Sequence, residues 1–482
     1  MLELRKVATC ITLDHQSRDQ CMIITVLSIV AILYLALQLE DKLKIPSPVG
    51  LIAISFIFHA IFHDSFILTG DTEHFATLVI LLLPVLLISD SLELSIDDLK
   101  KHGLSLTYLA VVAVSLSIIT ALLIGDSLFG KYNLSASAII LLFAMVLATD
   151  PVSVVSILSK FKLPHRLKVL CEGESLFNDA TALIIFVFIG LYALDGGEIT
   201  FGYVAEVSVI VIFGSALLGV AIGYLGLLAM KTTQNRIAEL LVLILVGYGA
   251  FELAEHFYLL LNLFGGHSHM HLSGILACIF STMTVHHFLS KAIIYDDALL
   301  ETKEQELELE SQAPSSSASV MHSAIQVIKM TVEERDRHMR SKEDIQLLAI
   351  VANTILFVAM AEIINLELLL KYKTEILTMF VATTVIRALM MAKFAFITNK
   401  TDKMTNINFR WWGVLTFAGI KGGLSVVMLM MIPPAFEHIE MFKAIVVGVI
   451  MLSTFIYSAM LLWLIVKDKE AFARDMEEEH AH

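Results

Sequence analysis

Charged residues are scarce in this sequence. Asp, Glu, Lys and Arg make up 17% of its 482 residues, 57% are hydrophobic, and the mean hydropathy is +0.79. A soluble protein of this length would have to bury more apolar side chains than one or two cores can hold. The composition therefore excludes a soluble domain and indicates a protein that crosses a membrane several times.

Cysteine pairs and compact metal-binding motifs are also missing. The four cysteines form no Cys-x-x-Cys pair, so we interpret each one as a small apolar residue. The sequence contains no His-Glu-x-x-His motif, and its intramembrane aspartates lack the Gly-x-Gly-Asp context of an intramembrane aspartyl protease. These absences predict that the protein is not an enzyme and needs no cofactor.

Acidic residues are concentrated in two hydrophilic segments, so the formal net charge of −14 says little about partners. One segment is Glu301–Glu310 and the other is the tail Asp475–Glu479. Charge runs of this kind are usually solvated, and we expect a hydrophilic loop and a solvated tail. Nothing in the sequence supports nucleic-acid binding.

Apolar segments recur along most of the chain. A window of about 19 residues identifies about thirteen candidate spans. They lie at 21–39, 47–63, 74–92, 104–125, 136–160, 167–193, 201–230, 236–262, 271–290, 345–366, 373–398, 409–433 and 441–467. This pattern predicts an all-α, polytopic membrane protein.

Loops rich in Lys and Arg indicate the orientation, because such loops resist translocation. The basic loops lie at 42–44, 100–101, 160–168, 231–236 and 400–410, whereas the loops at 63–73 and 195–198 have no Lys or Arg. The alternation predicts an N-terminus outside the cell and a C-terminus in the cytoplasm.

The hydrophilic insertion at 296–343 falls on the predicted cytoplasmic side. Its Pro-Ser-Ser-Ser-Ala-Ser core at 314–319 is typical of a flexible linker, and 332–341 is expected to form a short surface helix. On the predicted outer side, the three alternating histidines of His267–His271 could bind a metal or sense pH. No acidic or cysteine partner is near them, so we interpret this segment as an ordinary hydrated loop.

Asp150 and Pro151 lie side by side within the apolar span 136–160. A charge at the bilayer centre costs about 2.5–3.5 kcal/mol even on a lenient scale, so a carboxylate there is a functional candidate. Pro151 cannot donate a hydrogen bond to the Leu147 carbonyl and moves Asp150 out of helical geometry. The opened backbone must face protein or a cavity, where its oxygens suit a small hard cation. The alternative is a proline kink in which Asp150 is tied to a neighbouring residue.

The next span carries two polar stripes. Glu172, Ser175 and Asp179 share one helical face, and Glu174 and Asn178 form an i, i+4 pair on the adjoining face. One stripe can offer oxygens to an ion. The other can hold a cationic partner.

Two basic residues lie within later apolar spans. Arg387 stays charged in any protein setting and needs an acidic partner, for which Glu174 with Asn178 is the candidate. Lys421 lies in the glycine-rich stretch Gly419–Gly423, where it would neutralise the partial negative charge of helix C-termini. A glycine-rich break in one half of a transporter, matched by a proline break in the other, indicates inverted repeats with crossing helices. Close helix packing is the alternative explanation of the glycines.

The matched breaks predict two inverted six-helix repeats, joined by the seventh span. The expected regions are an outer N-terminal segment at 1–20; the first repeat, the linking helix and the start of the second repeat at 21–295; the insertion at 296–343; the remainder of the second repeat at 344–467; and a cytoplasmic tail at 468–482.

The motif Thr149-Asp-Pro151, followed by Glu174-Ser-Leu-Phe-Asn-Asp179, closely resembles the core of the NhaP/NHE-type monovalent cation:proton antiporters. The resemblance covers residues 75–465, and it includes Ala254-Glu255 followed by Ser273–Ala277 and the Gly-Ile-Lys-Gly-Gly stretch. It implies the NhaA-like antiporter fold with crossing discontinuous helices. It also implies a homodimer in which each protomer has a dimerisation domain and a mobile core domain, with elevator-like alternating access.

The resemblance further implies the roles of individual residues. Asp179 would hold either the cation or the proton, and Na⁺ would be bound at Asp150, Ser175 and Asp179 with help from the Thr149 carbonyl. The residues expected to brace the site are Asn178, Glu174, Arg387 and Lys421. An Asn before the Asp, in place of a second Asp, implies electroneutral one-for-one exchange.

Two positions depart from the family pattern. Many relatives have Leu-Pro-Pro-x-x-Phe-Glu in the third span, where this chain has Leu83–Asp90 with Ser89 in place of the Glu. Asp90 follows one residue later, about 100° round the helix. Lys421 stands where an Arg is usual, which keeps the charge but loses the fork geometry.

The expected function is exchange of Na⁺ or Li⁺ for H⁺ across the cell membrane. Cation and proton would exclude each other on one carboxylate, and only the neutralised site would move across the apolar barrier. The expected partners are monovalent cations, protons, membrane lipids and a second copy of the chain. The alternatives are K⁺/H⁺ exchange by the same fold, a sodium-coupled solute symporter and a channel.

Overall fold

The structure is a computed structural model. It describes residues 15–43, 46–61, 72–233, 235–263, 272–291, 318–363, 366–401, 404 and 406–480. Every regular element within these ranges is helical. The predicted histidine loop at His267–His271 and the acidic run at Glu301–Glu310 lie outside the described residues.

The helices are numbered here in chain order. They are α1 His15–Leu43, α2 Ser47–Ile61, α3 Thr72–Ser91, α4 Ile96–Thr107, α5 Val114–Phe129, α6 Ala136–Leu147, α7 Pro151–Leu158, α8 His165–Ile184, α9 Phe201–Met230, α10 Arg236–Glu255, α11 Phe257–Leu263, α12 274–291, α13 Ala318–Ile363, α14 Leu366–Lys371, α15 Lys373–Thr398, α16 Phe409–Phe417, α17 Gly423–Met431, α18 Ile439–Lys467 and α19 Lys469–His480. Two π-helical segments, Tyr108–Ala113 and Ile185–Leu191, continue α4 into α5 and extend α8.

The structure confirms an all-α membrane protein. Each predicted apolar span overlaps one helix or a pair of helices. By length and composition, nine helical stretches in the described residues can cross a membrane, and Ser47–His59 and Ile80–Ser91 are shorter apolar helices. The number of membrane crossings and the inverted-repeat topology stay predictions.

The described residues cluster into two compact units. The first unit comprises the chain up to Leu83, then Asp98–Val207 and Val351–His482. The second comprises Pro84–Asp97 and Ser208–Ile350. These units follow contacts in space, whereas the five regions expected from the sequence follow chain order, and the latter stay a prediction.

Helix α6 lies at the centre of the first unit. Every one of its residues from Ser137 to Leu147 is buried, which explains why the helix is apolar on all sides. In the second unit α9 packs closely against α12. A Cβ atom at Gly219 would lie 2.5 Å from the Ala277 carbonyl oxygen, and one at Gly223 would lie 2.6 Å from that of Ser281. Only glycine permits this approach of two helices.

Helix α13 is much longer than the sequence predicts. It begins at Ala318, close to the expected linker core, and runs for 46 residues to Ile363. The segment 332–341 is therefore one part of a long helix and not a separate short one. Its Glu, Arg and Met residues are good helix formers, so the helix continues beyond the apolar span.

Ion pairs hold this polar part of α13 within the second unit. The carboxylate of Glu239, in the first turn of α10, is 1% exposed. It lies 2.9 Å from Nε of Arg337 and 2.5 Å from Nδ1 of His338. About two turns further along α13, Asp344 accepts a 2.9 Å hydrogen bond from Nε of Arg236. Hydropathy alone does not reveal these partners, which explains the misplaced helix start.

The acidic tail also differs from its prediction. It forms α19, in which Asp475 accepts a 2.7 Å hydrogen bond from Arg410. Glu479 accepts hydrogen bonds of 2.8 and 3.0 Å from the backbone amides of His165 and Arg166. The prediction of a solvated tail is wrong for these two carboxylates. Glu479 meets the first amides of α8, which lack partners within that helix and attract an acceptor, and Asp475 meets the charged side chain of Arg410.

Candidate ion-binding site

Two interrupted helices meet within the first unit. Helix α6 ends at Leu147, the chain is extended at Ala148 and Asp150, and α7 begins at Pro151. Helix α16 ends at Phe417 and α17 begins only at Gly423, after an extended Gly422. The backbone amide of Asp150 donates a 2.7 Å hydrogen bond to the Ile420 carbonyl. The two breaks therefore touch each other through their backbones, and we call this place the crossing.

Asp179 projects from α8 to the crossing. One of its carboxylate oxygens, Oδ1, accepts a 2.8 Å hydrogen bond from the backbone amide of Thr149, and the side chain is only 7% exposed. The amide is available because Pro151 has ended helical geometry just after it. The other oxygen, Oδ2, has no hydrogen bond recorded within the part of the chain that the structure describes. A buried carboxylate that is held on one side in this way can take a proton or a cation on the other.

Asn178 and Lys421 satisfy the carbonyl at the end of α6. The Asn178 amide nitrogen lies 3.0 Å from the Leu147 carbonyl oxygen and 3.2 Å from Oγ1 of Thr149. The Lys421 ammonium lies 3.3 Å from the same Leu147 oxygen, and its backbone amide donates to Ser453 at 3.1 Å. A cationic group thus lies at a helix C-terminus, where the helix dipole favours it.

Glu174 and Arg387 form a buried ion pair beside the crossing. The guanidinium donates two hydrogen bonds, of 3.0 and 2.8 Å, to the two carboxylate oxygens. It donates two more, of 3.0 and 2.9 Å, to the carbonyls of Thr416 and Leu415 at the end of α16. A Cβ atom at Gly419 would overlap this guanidinium. The fork of an arginine can serve a carboxylate and two carbonyls at once, which a lysine cannot.

Asp150 is held by contacts that the sequence did not single out. The Ser153 hydroxyl donates a short hydrogen bond to Oδ2 of Asp150. A Cβ atom at Gly422 would lie 2.5 Å from Cβ of Asp150 and 3.2 Å from its Cα. The Ser153 contact has a local signal, because a serine three residues after an aspartate on a helix start lies within reach of it. The Gly422 contact has none, since it joins distant parts of the chain.

Ser175 is fully buried on α8, and its hydroxyl has no hydrogen-bond partner in the described ranges. The same holds for Ser425 in the first turn of α17, which the sequence did not single out. A buried hydroxyl without a partner is costly unless something else satisfies it. The structure brings Thr149, Asp150, Asp179, Asn178, Glu174, Arg387 and Lys421 together through hydrogen bonds or backbone contacts. It records no such contact for Ser175.

The two departures from the family pattern have different surroundings. Ser89 is 8% exposed and belongs to the second unit. Asp90 is partly buried there. Lys421 belongs to the first unit and makes the single carbonyl contact described above. Glu255, in the other motif of the resemblance, accepts a 2.9 Å hydrogen bond from the amide of Gly274 at the start of α12.

Several known proteins are similar to this chain. The model of the family described as "Sodium/hydrogen exchanger, transmembrane" matches residues 26–292, which is more than half of the chain. Na⁺/H⁺ antiporter NhaH of Halobacillus dabanensis is 27% identical over 245 residues, or 49% of this chain and 60% of the relative. Na⁺/H⁺ antiporter NhaG of Bacillus atrophaeus is 30% identical over 226 residues, or 45% of this chain and 42% of the relative. The alignments thus span 60% or less of these relatives.

A solved structure resembles nearly the whole chain. The sodium proton antiporter MjNhaP1 from Methanocaldococcus jannaschii matches with a TM-score of 0.58 and 16% identity, over 95% of this chain and 98% of that one. At this identity the likeness shows the antiporter fold and nothing about substrate. It extends over the second break, which the family model does not reach.

Proposed function

The chain belongs to the sodium/hydrogen exchanger family, and we propose that it exchanges Na⁺ or Li⁺ for H⁺ across the cell membrane. The observation that carries the proposal is the buried Asp179 carboxylate, held on one side by the Thr149 amide at a crossing of interrupted helices. Proton and cation compete for the same oxygens. Exchange follows because the two occupants exclude each other.

The groups around Asp179 have the chemistry of a site for a small hard cation. Carboxylate oxygens are available from Asp150 and Asp179, and the partnerless hydroxyl of Ser175 lies on the same face of α8 as Asp179. Alkali cations prefer oxygen ligands, and a carbonyl from the opened backbone at Thr149 would add one more. We therefore assign Na⁺ binding to Asp150, Ser175 and Asp179, with Thr149 assisting.

The buried charges support electroneutral exchange of one cation for one proton. The described side chains buried at the crossing include three carboxylates and two basic groups, namely Asp150, Glu174, Asp179, Arg387 and Lys421. When all five are ionised, one negative charge is in excess. A single Na⁺ or a single proton neutralises it, and a neutral site crosses an apolar barrier at the lowest cost.

Asn178, Glu174, Arg387 and Lys421 act as the brace of this site in the proposal. Their hydrogen bonds hold the end of α6, the end of α16 and the face of α8, so the oxygens of Asp179 keep their place in both loaded states. We further propose elevator-like alternating access, a homodimer, an N-terminus outside and a cytoplasmic C-terminus.

The test is dissipation of a pH gradient by purified protein in lipid vesicles, with Na⁺, Li⁺ or K⁺ added. Asp179→Asn should abolish cation-dependent proton movement while leaving the protein folded. Asp195→Asn, which makes the same chemical change at an exposed turn, should leave the rate unchanged. Sodium-driven proton movement by Asp179→Asn would refute the assignment.

The same vesicles separate the alternatives. A K⁺/H⁺ exchanger would respond to K⁺ and not to Na⁺. A channel would conduct current in proportion to voltage, whereas a one-for-one exchanger carries none. A sodium-coupled symporter would leave the pH gradient intact when only Na⁺ is added. An enzymatic role has no support in the family assignment, which is one of ion exchangers.

A further inference from the structure

Helix α19 contacts α8, which carries Asp179, and α16, which ends at the crossing. One face of α19 carries Phe472, which is 1% exposed, and Asp475 and Glu479 at spacings i, i+3 and i+7. The opposite face carries exposed residues such as Glu470 and Glu477. This is the pattern of a helix that is docked along one side.

Glu479 caps helix α8. The residue before α8 is Pro164, which provides no side-chain cap. Instead, the two oxygens of Glu479 accept from the amides of His165 and Arg166 at 2.8 and 3.0 Å, and Nε of Arg166 lies 3.4 Å away. A carboxylate is favoured at this end of a helix, because the amides lack partners and the dipole is positive.

Asp475 binds the first turn of α16. It accepts from Nη2 of Arg410 at 2.7 Å, from Nε1 of Trp411 at 2.9 Å and from Nδ2 of Asn408 at 3.2 Å. Asn408 itself caps α16 through the amide of Trp411. Asp475 and Glu479 therefore each hold the start of a different helix, and α19 joins the two.

Helices α8 and α16 are joined a second time, beside the candidate ion-binding site. There Arg387 links Glu174 on α8 to the carbonyls that end α16. Two helices pinned at two separated points cannot rotate or slide against each other freely. On α8 the two contact points, His165 and Glu174, are 9 residues apart, or about 14 Å at 1.5 Å per residue.

We propose that Asp475 and Glu479 are positioning residues for ion binding, and that α19 is a strap that fixes α8 relative to α16. Through α8 the strap keeps Asp179 in register with the Thr149 amide. The proposal rests on the exchange activity proposed above. It predicts that releasing the strap weakens cation binding without removing any group that touches the ion.

The experiment compares two double variants with the same change in charge. Asp475→Asn/Glu479→Gln loses both docking carboxylates, and Glu470→Gln/Glu477→Gln loses two exposed ones. In vesicles, Asp475→Asn/Glu479→Gln should raise the Na⁺ concentration for half-maximal exchange about fivefold or more. A fivefold change is the lower end of typical coupling between two sites. The maximal exchange rate of this double variant should stay within about twofold of the wild-type rate. The control double variant should match the wild type in both the half-maximal Na⁺ concentration and the maximal rate. Equal behaviour of the two double variants would overturn the proposal.

Hydrogen exchange tests the docking without any transport. In wild-type protein, the amides of His165 and Arg166 should be protected, although the first amides of a helix normally exchange fast. Protection should disappear in Asp475→Asn/Glu479→Gln and persist in the control. Fast exchange at both amides in the wild type would overturn the strap even if the double variant did not fold. An inactive wild type with protected amides would instead refute the proposed exchange and leave the docking intact.

Discussion

The buried pair of Glu174 and Arg387 allows a thermodynamic test of the brace. Arg387 makes four hydrogen bonds, two to Glu174 and two to backbone carbonyls. Both side chains are buried, with exposures of 1% and 7%. Replacing Arg387 by Met leaves an unpaired carboxylate and two carbonyls without donors.

The expected magnitudes differ between the single and the double variant. Arg387→Met should lower the free energy of unfolding by about 5–7 kcal/mol, since breaking a buried pair costs roughly 3–5 kcal/mol and each of the two orphaned carbonyls adds about 1. Glu174→Gln should cost about 3 kcal/mol, because Arg387 keeps its carbonyl partners but loses its counter-charge. The double variant buries no unpaired charge and should cost only about 2–3 kcal/mol, the loss at the carbonyls.

The double variant should therefore be more stable than Arg387→Met alone. The measurement is denaturant unfolding of the four proteins in detergent micelles, read as a double-mutant cycle. The reasoning about the pair is refuted if the two losses simply add, or if Glu174→Gln makes Arg387→Met less stable. Additivity would mean that the charges are solvated or paired elsewhere.

Three further predictions concern single contacts. Gly422→Ala should lower sodium-dependent exchange by about tenfold or more, because overpacking against Asp150 costs about 1–3 kcal/mol; Gly249→Ala, with no atom within 4 Å of the new methyl group, is the neutral control. Ser153→Ala should weaken Na⁺ binding by removing a donor to Asp150, and Ser153→Thr should restore it; equal affinities in vesicles would exclude the role. Glu239→Gln should lower the free energy of unfolding by about 1–3 kcal/mol, because its two basic partners lose their acceptor charge; an unchanged denaturation midpoint would contradict this.

Local chemistry made the first break predictable. A proline removes one backbone donor wherever it occurs, so Asp150 and Pro151 indicated an interruption without any knowledge of the fold. The pairing of Arg387 with Glu174 was accessible by a similar argument, since a permanent charge in an apolar span needs a partner. In both cases the chemistry of one residue type, a proline without an amide hydrogen or an arginine with a permanent charge, determines the local structure around it.

Contacts made through the backbone were not predictable in the same way. The Asp150 amide binds the carbonyl of Ile420, and Arg387 binds the carbonyls of Leu415 and Thr416. Every residue has a carbonyl, so no side-chain pattern marks the ones that will be used. The docking of Glu479 was not predictable for the same reason, because its partners are backbone amides of a distant helix.

The count of buried charges leads to a prediction about stoichiometry. Lys421 is one of only two basic groups buried among the described residues of the crossing, and removing it leaves two negative charges in excess. One Na⁺ or one proton then no longer neutralises the site. Lys421→Met should therefore exchange slowly, or carry net charge and respond to membrane voltage. Lys421→Arg keeps the charge and should stay insensitive to voltage. The measurement is the exchange rate in vesicles at imposed potentials of either sign. A Lys421→Met protein with the wild-type rate at every potential would show that the ammonium is not part of the charge balance, and the excess negative charge would then have to be compensated by another group.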